Sequence, residues 1–142
     1  MTRSRTWIVA AASIYLSGAI VVGLWPTPVD GGIRRQIADA LAFLHRDGIP
    51  SSFGYNALEF GANIAFFVPI GILICLLLPR RIQLLAIPIG ALVSCAIELS
   101  QLLFLPARFA TWNDVLANTT GTVIGVVIVM VVRRISGPAI AS

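Results

Sequence analysis

The amino-acid sequence predicts an all-α membrane protein, a bundle of about four transmembrane helices with a short amphipathic helix outside it. Hydrophobic residues make up 58% of the chain and charged residues only 11%. A soluble domain carries roughly 25% charged residues, so most of this surface is expected to face lipid. Long apolar runs separated by short arginine-containing segments support the same fold. At 142 residues the chain is expected to form one membrane domain, 1–142.

The first apolar run extends from Trp7 to Trp25 and follows two arginines, Arg3 and Arg5. A cleaved signal peptide is the alternative, but the apolar core of a signal peptide is usually about 7–15 residues and ends in small residues. This run is longer and ends at Trp25 and Pro26. A retained transmembrane helix over 7–25 is therefore the better interpretation, with tryptophans at both membrane interfaces.

The segment 26–60 is more polar and is predicted to lie outside the membrane. Within it Ile33, Ile37, Leu41 and Leu44 recur at helical spacing among charged residues. This spacing is typical of a short amphipathic helix that lies on the membrane or covers the end of the bundle.

Three further runs are long enough to cross a bilayer, which takes about 17–25 residues. They cover 61–78, 83–105 and 115–132. Four spans place both termini on one side, together with a set of arginines that no acidic residue accompanies: Arg3, Arg5, Arg80, Arg81, Arg133 and Arg134. This asymmetry predicts a multi-pass cell-membrane protein with both termini in the cytoplasm.

Several classes of function have little support. All ten basic residues are arginines, and they separate apolar runs rather than forming one basic face, which argues against nucleic-acid binding. His45 is the single histidine, and no metal-binding spacing is present. No metal and no cofactor is therefore expected. Cys75 and Cys95 are expected to be buried at different depths, unpaired.

The third span carries polar residues on one face: Ser94, Glu98 and Gln101 at i, i+4 and i+7. Glu98 is expected to lie about 10 Å inside the end of its helix. A carboxylate at that depth is costly unless it is paired or hydrated, which makes it a candidate functional residue. The alternative is a hydrogen-bonded clamp between helices.

The fourth span places Asp114, Asn118, Gly121 and Gly125 on one stripe. Asp114 suits the start of a helix, so capping alone would also explain it. Gly121 and Gly125 form a small-x-x-x-small pattern that favours close helix packing. It also permits oligomer formation without requiring it.

The second span and the loop 106–114 contribute to the same predicted cluster. Glu59 and Asn63 share a face near the outer end of the second span, and Arg108 lies in the short loop. Arg108 is a natural partner for Glu98 or Asp114, or for the phosphate or carboxylate of a ligand. The predicted cluster is therefore Glu98, Gln101, Arg108, Asp114, Asn118, Asn63 and Glu59.

Two ordered series of residues carry a resemblance to a known family. They are Asn63-x3-Phe67-x-Pro69-x-Gly71 and Glu98-x2-Gln101-x6-Arg108-x5-Asp114-x3-Asn118-x2-Gly121-x3-Gly125. Together they resemble the VanZ-like family of small bacterial membrane proteins, over about residues 56–130. The resemblance implies a cell-envelope accessory role, since the namesake assists resistance to the glycopeptide teicoplanin. It transfers neither catalytic residues nor a reaction.

Three functions are compatible with these observations. The first is an accessory protein whose outward polar site binds an amphiphile, such as a lipid-linked cell-wall precursor or a lipoglycopeptide. The second is an outer-leaflet enzyme with Glu98 and Asp114 as acid and base and Arg108 holding an anion. The third is a structural or transport-related helical scaffold, which for transport would need to oligomerise.

Overall fold

The computed structural model describes residues 3–26, 32–105 and 111–136. Within these ranges the chain is helical and contains no strand. The helices in chain order are α1 (Arg3–Gly23), α2 (Arg34–Arg46), α3 (Tyr55–Leu77), α4 (Ala86–Phe104) and α5 (Trp112–Ile135), with a 3₁₀ turn over Arg80–Leu85 between α3 and α4. All but α2 are long and apolar enough to cross a membrane. The predicted all-α membrane fold is therefore confirmed.

The helix boundaries differ from those of the apolar runs. Helix α3 begins at Tyr55, ahead of the run that starts at Gly61, because the polar first turns are helical as well. The third run begins at Gln83, but α4 begins at Ala86. The cause is the 3₁₀ turn before it, in which Ile82 has non-helical backbone angles (φ −122°, ψ 15°). Hydrophobicity marks the part of a helix that faces lipid, and hydrogen bonding sets where the helix ends.

Helices α3 and α5 pack with their backbones in contact. A Cβ atom added at Gly121 would overlap the Ile64 carbonyl oxygen, and one added at Gly125 would overlap the Val68 carbonyl oxygen. From the other side, a Cβ atom at Gly71 would overlap the Thr122 carbonyl oxygen. The small-x-x-x-small pattern of α5 thus faces a helix of the same chain.

Helix α4 packs on the same pair. Gly90 of α4 lies against the Thr122 side chain, where an added Cβ would be 2.5 Å from Oγ1. The other end of the bundle is closed by a small apolar cluster: Cys75, Ala86, Val126 and Val129. Both cysteines are free, but Cys95 is exposed, so the expectation that both are buried is wrong for Cys95.

Helix α1 packs on α3 and more lightly on α4. Ala19 of α1 shares a buried cluster with Phe67 and Ile70 of α3. The Tyr15 hydroxyl donates a hydrogen bond of 2.9 Å to the Phe66 carbonyl oxygen. Pro69 has no N–H, so the carbonyl that loses its i+4 donor is that of Ala65, and the Tyr15 bond joins α1 to α3 one residue beyond it.

Helix α2 is the amphipathic outer helix, and none of its residues is buried. Ile37, Leu41 and Leu44 are half-buried, whereas Phe43 is exposed. The Arg34 guanidinium lies 5.8 Å from the centroid of the Tyr55 ring, at the start of α3. Ile33, the first residue of the predicted stripe, precedes α2 and is exposed, so the face that α2 turns toward the bundle is Ile37, Leu41 and Leu44.

Replacing Gly121 with alanine is expected to destabilise the protein. The added methyl would meet the α3 backbone, which cannot move aside as a side chain can, at a cost of about 1–3 kcal/mol or more. Gly61→Ala on α3 is the matched control, because nothing lies within 4 Å of a Cβ atom added there. Thermal unfolding in detergent micelles should show a lower Tm for Gly121→Ala and an unchanged or higher Tm for Gly61→Ala. Equal Tm values would contradict the close backbone packing.

Candidate functional site

Polar side chains gather at the end of the bundle where α1 and α4 end and α3 and α5 begin, here called the polar end. The buried polar residues are Ser94, Glu98, Gln101, Asn118 and Thr122. All five belong to α4 or α5. Buried polar groups need hydrogen-bond partners, and those partners determine what the site can do.

Thr111 caps α5 and organises the polar end. Its Oγ1 accepts a hydrogen bond of 3.2 Å from the Asp114 backbone N–H, as an N-cap residue does. The same hydroxyl donates a bond of 2.8 Å to Asp114 Oδ2. The Asp114 side chain also lies in the first turn of α5, at the positive end of the helix dipole. Capping therefore does account for the position of Asp114.

Glu98 of α4 completes this cap from a second helix. In a capping box, the acidic side chain in the first turn accepts the backbone N–H of the cap residue. Here the Thr111 N–H donates instead to Glu98 Oε2, at 3.1 Å. Glu98 is only 9% exposed, and one of its oxygens is committed to this bond. The carboxylate thus joins the end of α4 to the start of α5.

Asn63 brings α3 into the same network. Its Nδ2 donates a hydrogen bond of 2.6 Å to Asp114 Oδ1. Both oxygens of Asp114 therefore accept hydrogen bonds from the protein, one from α3 and one from its own cap. Asp114 therefore joins α3 to the cap of α5, while Glu98 accepts the Thr111 N–H from α4.

Gln101 connects the polar end to helix α1. Its Nε2 donates a hydrogen bond of 2.8 Å to the Gly23 carbonyl oxygen at the end of α1. That carbonyl belongs to the last turn of α1, where no i+4 N–H is available in the helix. Gln101 thus serves as the partner of a helix end and links α1 to α4.

The seam between α4 and α5 continues the polar network into the bundle. This α4–α5 seam consists of Gly90, Ser94 and Glu98 facing Thr111, Asn118 and Thr122. Asn118 Nδ2 donates a hydrogen bond of 2.9 Å to Ser94 Oγ, and Thr122 Oγ1 donates one of 3.0 Å to the Asn118 carbonyl oxygen. Asn118 Oδ1 is buried and has no hydrogen-bond partner.

Two members of the predicted cluster are not brought into this network by the contacts above. Glu59 is exposed on α3. Arg108 lies outside the described residues, so its pairing with Glu98, Asp114 or a ligand stays a prediction. In the described part of the chain, no group of three or more His, Cys, Asp or Glu side chains is placed to hold a metal ion.

Two residues of this arrangement were missed by sequence reasoning. Thr111 was recognisable, because Thr111-x-x-Asp114 before an apolar run has the form of a helix start. Tyr15 had no comparable signal, since a tyrosine inside an apolar run is equally at home facing lipid headgroups or a neighbouring helix.

The bond between Asn63 and Asp114 is expected to stabilise the fold. A double-mutant cycle with Asn63→Ala and Asp114→Ala should give a coupling free energy of about 1–2 kcal/mol, because a charged acceptor strengthens the bond. The same cycle with Asn56→Ala, at an exposed position on α3, is the control and should give a value near zero. Unfolding free energies measured in detergent provide the values. No coupling for Asn63 would mean that the two side chains do not share a bond in solution.

A comparison with protein families identifies the chain. Residues 13–133 match a family model described as VanZ/LLP1. No curated protein and no solved structure matches the chain. The family match covers most of the chain, including α3, α4 and nearly all of α5. The protein is therefore a multi-pass membrane protein that belongs to the VanZ/LLP1 family.

Proposed function

We propose that this VanZ/LLP1 protein has an accessory role in the cell envelope, in which its polar end binds the polar group of an amphiphilic or lipid-linked ligand. We infer further that this role is linked to resistance against glycopeptides of the teicoplanin type. The observation that carries the proposal is the buried carboxylate of Glu98, which accepts the Thr111 N–H. Thr111 directly follows the segment 106–110, which contains Arg108.

The position of Arg108 along the chain supports a binding site here. Arg108 is three residues from Thr111, so their Cα atoms lie within about 11 Å of each other. Thr111 is held by Glu98 and by its own cap with Asp114. A guanidinium suits phosphate and carboxylate groups because it offers two parallel N–H donors. An anionic headgroup at the membrane surface is therefore the class of ligand proposed.

The hydrogen bonds of the two carboxylates favour binding over catalysis. Asp114 accepts bonds on both of its oxygens, and Glu98 accepts the Thr111 N–H. A general base needs a lone pair within hydrogen-bond reach of the substrate proton. In this arrangement the two carboxylates hold the cap residue Thr111 and the Asn63 amide in place, which is a positioning role. We therefore favour binding over catalysis at the polar end.

The distribution of arginines supports an orientation in which the polar end faces outward. Described arginines at the opposite end include Arg80 and Arg81 before α4 and Arg133 and Arg134 in the last turn of α5. Arginine-rich connections are retained on the cytoplasmic side. Both ends of the chain are then cytoplasmic, and α2 lies on the external surface.

A topology reporter is expected to show this orientation. Green fluorescent protein fused after Ser142 should fluoresce, because it folds in the cytoplasm, and alkaline phosphatase fused after Pro50 should be active outside it. The exchanged fusions, phosphatase after Ser142 and fluorescent protein after Pro50, are the controls and should both be silent. The opposite pattern would place the polar end in the cytoplasm and exclude an external ligand.

The resistance role is expected to depend on the polar end. A sensitive bacterial host expressing wild type should tolerate more teicoplanin than the vector control, and both Glu98→Gln and Arg108→Ala should lose this protection. Glu98→Gln keeps the shape but weakens the acceptor for the Thr111 N–H, and Arg108→Ala removes the anion-binding group. Minimal inhibitory concentrations are measured at matched membrane abundance.

Two exposed residues of α2 provide matched controls for this experiment. Asp39→Asn neutralises a carboxylate, as Glu98→Gln does, and Arg35→Ala removes a guanidinium, as Arg108→Ala does. Both lie outside the polar network and should keep full protection. Protection that survives Glu98→Gln and Arg108→Ala would reduce the polar end to a structural clamp. If wild type gives no protection, binding of lipid-linked cell-wall precursor to the protein in nanodiscs tests the ligand class separately from the resistance role.

A further inference from the structure

The side-chain amide of Asn118 is incompletely bonded within the α4–α5 seam. Asn118 is 4% exposed, and its Nδ2 donates to Ser94 Oγ while its Oδ1 has no partner. Among the described residues, this carbonyl oxygen is thus a buried acceptor that receives no hydrogen bond.

An unsatisfied amide is costly in this position. Asn118 lies six residues from Trp112, so it is about 9 Å along α5 from the polar end. A lipid-surrounded bundle offers no bulk water to an unpaired polar atom. A conformation of the seam that gives this atom a partner is therefore favoured by that hydrogen bond.

The contacts of α5 with α3 and with α4 are unequal, and the α4–α5 seam is the weaker of the two. Helix α5 meets α3 backbone to backbone at Gly121 and Gly125. It meets α4 through side chains, at Ser94 and Thr122 and through the Thr111 bond to Glu98. Side-chain contacts can part by a rotamer change or a small tilt, whereas the backbones of α3 and α5 would have to separate as rigid helices.

Helix α4 also has a break at the end remote from Glu98. The 3₁₀ turn that connects α3 to α4 contains Ile82, which has non-helical backbone angles, so regular helical hydrogen bonding is interrupted before α4. A tilt of α4 about this turn moves its Glu98 end the farthest. The polar side chains then follow one another from the polar end into the α4–α5 seam, in the order Glu98, Ser94 and Asn118.

We propose that the α4–α5 seam is a water-binding site, in which α4 tilts away from α5 at the Glu98 end and water enters to hydrogen-bond the Asn118 amide. Water supplies a donor to Oδ1 and finds further partners in the Ser94 hydroxyl and the Glu98 carboxylate, which meets the two to four polar contacts that a buried water needs. The site does not depend on the ligand proposed above, because it requires only water.

Thiol accessibility tests this proposal in the full-length protein in lipid nanodiscs. The variant Ser94→Cys is nearly isosteric, and the exposed native thiol is removed with Cys95→Ala. Ala117→Cys in the same background is the matched control, because Ala117 is also fully buried and is the neighbour of Asn118. Native Cys75, fully buried at the other end, is an internal control. Methanethiosulfonate ethylammonium is the probe, since it reacts with thiols that meet water, and peptide mass spectrometry locates the modification.

The proposal predicts complete modification at position 94 while positions 117 and 75 stay unmodified. Thr122→Cys, a second reporter in the seam, should react more slowly than Ser94→Cys because it lies deeper. Adding Asn118→Leu should slow the reaction at position 94, since the group that binds the water is removed. No modification at position 94 or 122, equal modification at 94 and 117, or no effect of Asn118→Leu would each overturn the proposal.

Discussion

The arrangement of this bundle depends on the direct contact between the backbones of α3 and α5. Gly121 and Gly125 admit the α3 carbonyl groups so closely that any side chain would overlap them. In a membrane, where apolar side chains gain little by leaving lipid, such contacts supply much of the attraction between helices. The contact also sets the register, which brings Asn63 of α3 beside Asp114 of α5. The polar network is thus a consequence of where the glycines lie.

The polar end is built as an extension of one helix cap. Thr111 and Asp114 have the spacing of a capping box, but the N–H that normally closes the box within one helix is donated to Glu98 of α4. Asp114 also accepts a hydrogen bond from Asn63 of α3. Together the bonds of Glu98 and Asp114 extend a local cap into a connection among α3, α4 and α5.

The sequence predicted the fold because its signals are local and strong. Apolar runs, interrupted by arginine pairs, are sufficient to define membrane helices, and the polar faces of α4 and α5 follow from helical spacing. Which helix each polar residue meets depends on rotations about the helix axes, which spacing does not determine. The bond from Gln101 to α1 was therefore not foreseen, and Cys95 lies on the exposed side of α4 beside buried Ser94. Glu59 shares the helical face of Asn63, but it lies a turn nearer the start of α3 and is exposed.

The fraction of polar side-chain atoms that have hydrogen-bond partners decreases with depth along the α4–α5 seam. Near the polar end, Asp114 and Glu98 accept hydrogen bonds that connect α3, α4 and the cap of α5. Farther in, Asn118 retains an unbonded amide atom against a helix that is attached through side chains. Because α3 and α5 are joined through their backbones, α4 is the helix that can move, and the bonds that resist its movement at the polar end are Glu98 with Thr111 and Gln101 with Gly23. The bond between Glu98 and Thr111 is consequently the point at which binding at the polar end and opening of the seam would influence each other.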